Sequence, residues 1–164
     1  MKPIRISNKV KNLSTSELRN ELDKLIPIVN NLDFDMDRDE LKKELHIFEE
    51  LIVESITRIL YAKQGTVPLQ NKIYDKVEAL FSEQFSYNIN RAISTLRRIR
   101  EDYARDKEMT EGFRDWFIAR IEISVRLLKR ELEIVESMVP NHVSVDIKSN
   151  VKEIKERKIN AKNN

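Results

Sequence analysis

Arginines between residues 91 and 105 form the pattern in this sequence that best suits a binding chemistry. Arg91, Arg98 and Arg105 recur every seven residues, so on an α-helix they project from nearly one side, with Arg97 and Arg100 beside them. A guanidinium group can donate two parallel hydrogen bonds to the oxygens of one phosphate. The spacing therefore predicts a basic helix face that could contact a phosphate backbone.

Acidic residues are interleaved with these arginines and leave a second interpretation open. Glu101, Asp102 and Asp106 lie within about one helical turn of a guanidinium group. Opposite charges three or four residues apart stabilise an exposed helix without any ligand. Intrahelical ion pairs therefore account for much of the same pattern.

A second acidic segment resembles a metal-binding loop only in part. Carboxylates at alternate positions, followed by a glutamate, match the ligand order of a calcium-binding helix-loop-helix: Asp33, Asp35, Asp37 and Glu44. Arg38 stands where that loop needs a glycine for its sharp turn. We therefore expect Asp37 to cap the following helix, with Glu40 in capping-box register, and we expect no metal ion.

The residues that usually carry out catalysis are missing from the sequence. There is no cysteine, no glycine-rich phosphate loop and no His-Glu-x-x-His motif. His46 and His142 are far apart, and neither has a metal-ligand spacing. We expect a protein that is not an enzyme and needs no cofactor, acting as a binding or scaffolding subunit.

Composition predicts an all-α fold. Of the 164 residues, 35% are charged, 40% are apolar and only two are glycine, which is typical of long amphipathic helices. No apolar run is long enough for a membrane span, and no signal-peptide core follows Met1, so we expect a cytoplasmic protein. Residues 1–147 should form one helical bundle domain, and residues 148–164 a basic, partly disordered tail.

About five helices are expected, arranged around a corner at Gly65 and Pro68. Gly65 suits a left-handed helix cap, and Pro68 suits the start of the next helix. Pro27 should kink or end the first helix near Leu25. The expected helices run from a capping box at Ser14, over 39–63, over 69–85, from a cap at Ser86 to 107, and from a cap at Thr110 to 139, with a short helix after Ser149.

Apolar residues on the fourth helix form a narrow seam suited to a partner helix. The seam comprises Ile89, Ala92, Leu96, Ile99 and Tyr103, at alternating steps of three and four. A homodimer joined through this seam is one hypothesis for the protein. Trp116 and Phe117 could stack on bases, but their spacing on an amphipathic helix favours a place in the core.

Two segments resemble a known family. The corner Leu60-Tyr61-Ala62-Lys63-Gln64-Gly65-Thr66-Val67-Pro68-Leu69, with Ile73 to Val77 and Leu80 after it, resembles the small helical (Csm-type) subunit of type III-A CRISPR effector complexes. Upstream, residues 13–19 look like that family's helix start. The resemblance implies a non-catalytic antiviral-defence subunit that assembles in several copies along a guide RNA and its target, contacting the backbone without reading sequence.

On that resemblance, the residues expected to contact phosphates are Arg91, Arg97, Arg98 and Arg105, with Arg19 and Lys63 as secondary candidates. The segment from Pro68 to Val77 and the later arginine-rich helix also look like the helical domain of GINS subunits. That likeness implies a DNA-replication scaffold with little affinity for RNA. Expected partners are therefore other subunits of a complex, RNA or single-stranded DNA, and further copies of the chain.

Overall fold

The chain folds as a single bundle of α-helices, as the composition predicts. The computed structural model describes residues 3–101 and 111–138. Predictions for Tyr103, Arg105, Thr110, His142 and the tail over 148–164 fall outside these ranges. The helices are α1 (Asn8–Lys11), α2 (Thr15–Asn30), α3 (Arg38–Gln64), a 3₁₀ helix (Gln70–Lys72), α4 (Ile73–Leu80), α5 (Glu83–Glu101) and the long α6 (Glu111–Met138).

The central element is α3, which contacts each of the other five α-helices. Every residue from Phe48 to Leu60 is buried except Thr57, so this part of the helix has no solvent-facing side. A helix surrounded in this way is normally apolar all round. Here Glu49, Glu50 and Glu54 are also buried, so their carboxylates need partners inside the protein.

Two of these carboxylates hold the N-terminal segment against α3. Glu50 accepts a hydrogen bond from the backbone N–H of Ser7 at 2.5 Å. Glu54 pairs with buried Arg58 at 3.0 Å, and the Arg58 guanidinium also donates to the carbonyl oxygens of Val10 and Lys11. The short helix α1 is therefore fixed to the bundle by polar contacts as well as by packing.

The strongest local signals in the sequence correspond to real helix ends. Ser14 and Glu17 form a complete capping box, with both hydrogen bonds at 3.1 Å. Gly65 ends α3 in the left-handed conformation, at a φ of 76°, and its N–H donates to the carbonyl oxygen of Tyr61 at 2.7 Å. Both features were predicted because each needs a particular residue type.

Proline and aspartate signals were less reliable. We expected Pro27 to kink or end the helix near Leu25; α2 continues through Pro27 to Asn30, so it does not end there. Buried Leu25 and Val29 anchor both sides of the proline in the core. Asp37 lies at the N-cap of α3 but makes no side-chain cap hydrogen bond. After Pro68, Leu69 is extended, the 3₁₀ helix covers Gln70–Lys72, and α4 begins only at Ile73.

The boundary between the third and fourth helices was also misplaced. α4 ends at Leu80, and Ser82 accepts a hydrogen bond from the Phe85 N–H at 3.2 Å, as a cap does. Ser86, the predicted cap, is buried inside α5 and donates to the carbonyl oxygen of Val77 in α4.

Of the described helices, none has the length and apolar character to cross a membrane.

The two glycines offer a matched test of the corner. Gly65→Ala should lower the free energy of unfolding by about 1–2 kcal/mol, because the left-handed conformation crowds a Cβ against the backbone. Gly112→Ala, on the first turn of α6, should leave it unchanged or raise it by up to ~1 kcal/mol. An added Cβ meets no atom within 4 Å at either site, so sterics with neighbours do not differ. Urea unfolding measures both; equal effects would contradict a conformational role for Gly65.

Candidate functional site

The apolar face of α5 packs inside its own chain. Ile89, Ala92, Leu96 and Ile99 are all at most 2% exposed, and α5 contacts α3, α4 and α6. These residues were predicted to form a seam with a partner helix, and that prediction needs correction because the partner helices belong to the same bundle. A homodimer through this seam would require the core to open. Tyr103, its last member, is outside the described ranges.

Two of the arginines on α5 turn inward. Arg97 is 3% exposed, and its Nε lies 4.0 Å from a carboxylate oxygen of Glu49 on α3. Arg100 reaches the same oxygen with Nη2 at 3.1 Å. The Arg97 guanidinium also lies over the ring of Tyr74, 5.4 Å from its centroid. Arg97 therefore belongs to a buried ion-pair cluster and is removed from the predicted phosphate contacts.

Burial is the largest influence on the pKa values of Glu49 and Tyr74 in this cluster. Loss of solvent raises the pKa of Glu49 above its ordinary value, while the positive charges of Arg100 and Arg97 act in the opposite direction. Burial likewise raises the pKa of the Tyr74 hydroxyl. Glu49 is 1% exposed, so the cost of removing its charge from water is large enough to outweigh the two guanidinium groups.

The two secondary candidates for phosphate contact, Arg19 and Lys63, also differ: Arg19 is paired with acids, and Lys63 is exposed. Arg19 donates to both oxygens of Glu136, at 2.7 and 3.0 Å, and to Glu133 at 3.2 Å. The hydrogen bond with Glu136 raises the pKa of Arg19, and the three contacts join α2 to α6. Arg19 is therefore a structural residue rather than a phosphate contact. Lys63 remains exposed, with its Nζ 5.0 Å from the centroid of the Phe81 ring.

Between the exposed ends of α5, which include Glu83, Gln84 and Glu101, lies a continuous row that we call the α5 stripe: Tyr87, Arg91, Ser94 and Arg98. Successive members are four, three and four residues apart, so they share one helix face. All are exposed except Ser94, which is half-buried. Within residues 3–101 and 111–138, no ion pair of 4.0 Å or less involves Arg91 or Arg98, and exposed Glu101 forms none with either of them. Asp102 and Asp106 lie outside those ranges.

Helix α6 adds a third guanidinium beside the stripe. Arg120 and Arg91 lie over the ring of Tyr87, at 5.5 and 5.6 Å from its centroid. Arg120 also lies 5.8 Å from the ring of Trp116, which is half-buried. Phe117 is fully buried, as expected. Trp116 is only half-buried and forms part of this surface. Arg120 could not be predicted from the sequence, because only packing of α6 on α5 brings it to Tyr87.

The acidic segment before α3 takes part in packing. Asp33 accepts a hydrogen bond from the Asp35 backbone N–H at 2.9 Å, and Asp35 pairs with Arg114 of α6. His46 lies 3.8 Å from Glu50. Among the residues that the structure describes, no group of three or more histidines and acids is arranged to hold a metal ion.

Comparisons with protein-family models, curated proteins and solved structures found no match. The geometry of the site separates the arginines of α5 into an inner pair that faces Glu49 and an outer pair without an acidic partner among the described residues. The outer pair is the part that can meet a ligand.

Glu49→Gln should change how stability depends on pH. Because burial raises the folded pKa of Glu49 above its ordinary value of 4.5, its contribution to stability is complete below the unfolded pKa and is lost as pH rises through the folded pKa. The free energy of unfolding of the wild type minus that of Glu49→Gln should therefore fall as pH rises above the ordinary pKa of 4.5.

Glu44→Gln is the matched control, because Glu44 is an exposed glutamate of the same helix. Its difference from the wild type should stay nearly constant over the same pH range. Denaturant unfolding at several pH values measures both differences. A rise with pH for Glu49→Gln would show instead that attraction to Arg97 and Arg100 outweighs burial.

Proposed function

We propose that this chain is a non-catalytic helical subunit of a nucleic-acid-processing complex. It contacts the backbone of RNA or DNA through the α5 stripe without reading base sequence. The observation that carries the proposal is the separation of arginines on α5. Arg97 and Arg100 both face the buried carboxylate of Glu49, whereas Arg91 and Arg98 present guanidinium groups at the surface with no ion-pair partner among the described residues.

The stripe has the spacing that a polyanion requires. Arg91 and Arg98 are seven residues apart, which is about 10 Å along a helix axis. Both are carried by a helix whose opposite face is fixed in the core, so their positions are set before a ligand arrives. Guanidinium contacts to phosphates favour any sequence equally, and sequence is read only through base edges. We therefore expect the stripe to bind a nucleic-acid backbone without preference for base sequence.

Charge elsewhere on the α5–α6 surface favours the same interaction. Arg120 lies beside Tyr87, which extends the positive surface from α5 to α6. Several other arginines of the described chain are paired with acids: Arg19, Arg58, Arg97, Arg100 and Arg114. A polyanion would therefore meet a local cluster of unpaired positive charge on a chain whose formal net charge is only +2.

The resemblance of residues 13–19 and 60–80 to the small subunit of type III-A CRISPR effectors supports the same proposal. On that basis we also propose a cytoplasmic location, and protein partners that bind away from the α5 stripe. Self-association, if it occurs, would use a surface other than the apolar face of α5, because that face is buried.

Reversing the two exposed charges tests the proposal. Arg91→Glu/Arg98→Glu should weaken binding of a labelled 20-nucleotide oligomer about tenfold or more at low salt. It should also reduce the slope of log Kd against log salt by about 1.5, because about two phosphate contacts are lost. Fluorescence anisotropy over a salt series measures both quantities. The helical circular dichroism spectrum should not change, since both side chains are exposed.

Arg126→Glu/Arg130→Glu is the matched control. Both arginines are exposed on α6, and the substitution alters net charge by the same amount. Arg126 lies roughly 120° around α6 from Arg120, so it faces away from the stripe. The control should retain most of the affinity. Equal losses in the two double variants would mean that binding depends on total charge, and no binding by the wild type would refute the proposal.

A further inference from the structure

A groove of about 680 Å³ runs between α4 and α5 along one side of the stripe. Its walls include three aromatic rings, from Tyr74, Phe81 and Tyr87, together with Asn90 and Arg91. This volume is in the range of sites that hold organic ligands. Arg91 and Tyr87 belong to both the groove and the stripe, so a ligand on the stripe would have direct access to the groove.

Tyr87 is unusually placed for a large aromatic residue. It is 47% exposed, on a helix whose other apolar residues are buried, and its ring is flanked by the guanidinium groups of Arg91 and Arg120. Exposed cation–π contacts of this kind are weak, whereas stacking between a base and an aromatic ring is stronger. A base could therefore replace one guanidinium on the ring, and the released guanidinium could bind the adjoining phosphate.

Asn90 supplies a polar group that has no hydrogen-bond partner among the described residues. Its side-chain oxygen is buried, and no hydrogen-bond donor reaches it from residues 3–101 or 111–138. Buried acceptors are almost always paired, with protein, water or a ligand. Asn90 lines the groove, so rotation of its side-chain amide would present this oxygen to a ring or exocyclic N–H of a base.

The charges of the groove favour a base over a phosphate in its interior. Glu78 and Glu83 also line it, and their negative charge would repel a phosphate there. Arg91 and Arg98 follow the exposed side of α5 instead. A nucleic acid would therefore run its backbone along the stripe and turn uncharged bases toward the rings. A base in a duplex is stacked and paired and cannot turn in this way.

From these features we infer that the ligand class is single-stranded nucleic acid, with bases held in the α4–α5 groove against Tyr87 while Arg91 and Arg98 hold the backbone. The inference rests on the proposed function and goes beyond it by distinguishing single strands from duplexes. The ring face, rather than the tyrosine hydroxyl, provides the contact. It applies to RNA and DNA alike, because every base has a π face.

Substitutions at Tyr87 test the groove separately from the stripe. Tyr87→Leu should weaken binding of a labelled 12-nucleotide single strand, RNA or DNA, by about 5- to 150-fold, whereas Tyr87→Phe should bind like the wild type. Binding of the corresponding 12-base-pair duplex should be weaker than that of the single strand in the wild type and unaffected by either change. Circular dichroism checks that both variants remain helical.

The outcomes separate the two proposals. If Tyr87→Leu binds single strands as tightly as the wild type while Arg91→Glu/Arg98→Glu still weakens binding, the groove inference is wrong and backbone binding stands. Equal affinity of the wild type for single strand and duplex would also overturn the inference. If the wild type binds neither, both proposals fail.

Discussion

The buried carboxylate of Glu49 determines how α5 meets the rest of the bundle. It lies on the central helix α3 at 1% exposure and is contacted from α5 by Arg97 and Arg100. Removing one partner of a buried ion pair commonly costs about 3–5 kcal/mol, out of a total stability of about 5–15 kcal/mol for an ordinary domain. A rotation of α5 that withdrew both guanidinium groups would therefore threaten the fold itself.

This constraint also creates the outer surface. With Arg97 and Arg100 held inside, the helix period places Arg91 and Arg98 on the opposite margin, in line with Tyr87. Packing of α4 on one side adds the rings of Tyr74 and Phe81, and packing of α6 on the other adds Arg120. The candidate site is thus a consequence of how one helix is oriented between its neighbours.

Much of the fold could be predicted because its signals are local. The capping box at Ser14 and the left-handed Gly65 each depend on residues within one turn, and both were located correctly. Ser82 and Ser86 are chemically equal candidates for a cap, and only contact with Val77 of α4 decides between them. The continuation of α2 past Pro27 likewise depends on tertiary packing, which outweighs the local preference.

The site was harder to predict because its residues come together only through packing between helices. The seven-residue spacing correctly placed Arg91 and Arg98 on one face. It did not show that Arg97 is buried while its neighbour Arg98 is exposed. Their difference comes from Glu49, on another helix, and the sequence around Glu49 does not show which residues of α5 will pack against it. The seam on α5 was recognised as apolar, but its periodicity cannot tell whether the covering helix is in the same chain.

Adjacent residues 97 and 98 therefore provide the most direct test of the account. Unfolding free energy and oligonucleotide affinity should be measured for Arg97→Gln and for Arg98→Gln. Arg97→Gln should lose about 3–5 kcal/mol of stability and keep its affinity while folded, because a buried partner of Glu49 is removed. Arg98→Gln should stay within about 0.5 kcal/mol in stability and bind more weakly. If the two variants lose stability and affinity to the same extent, the separation of inner from outer arginines is wrong.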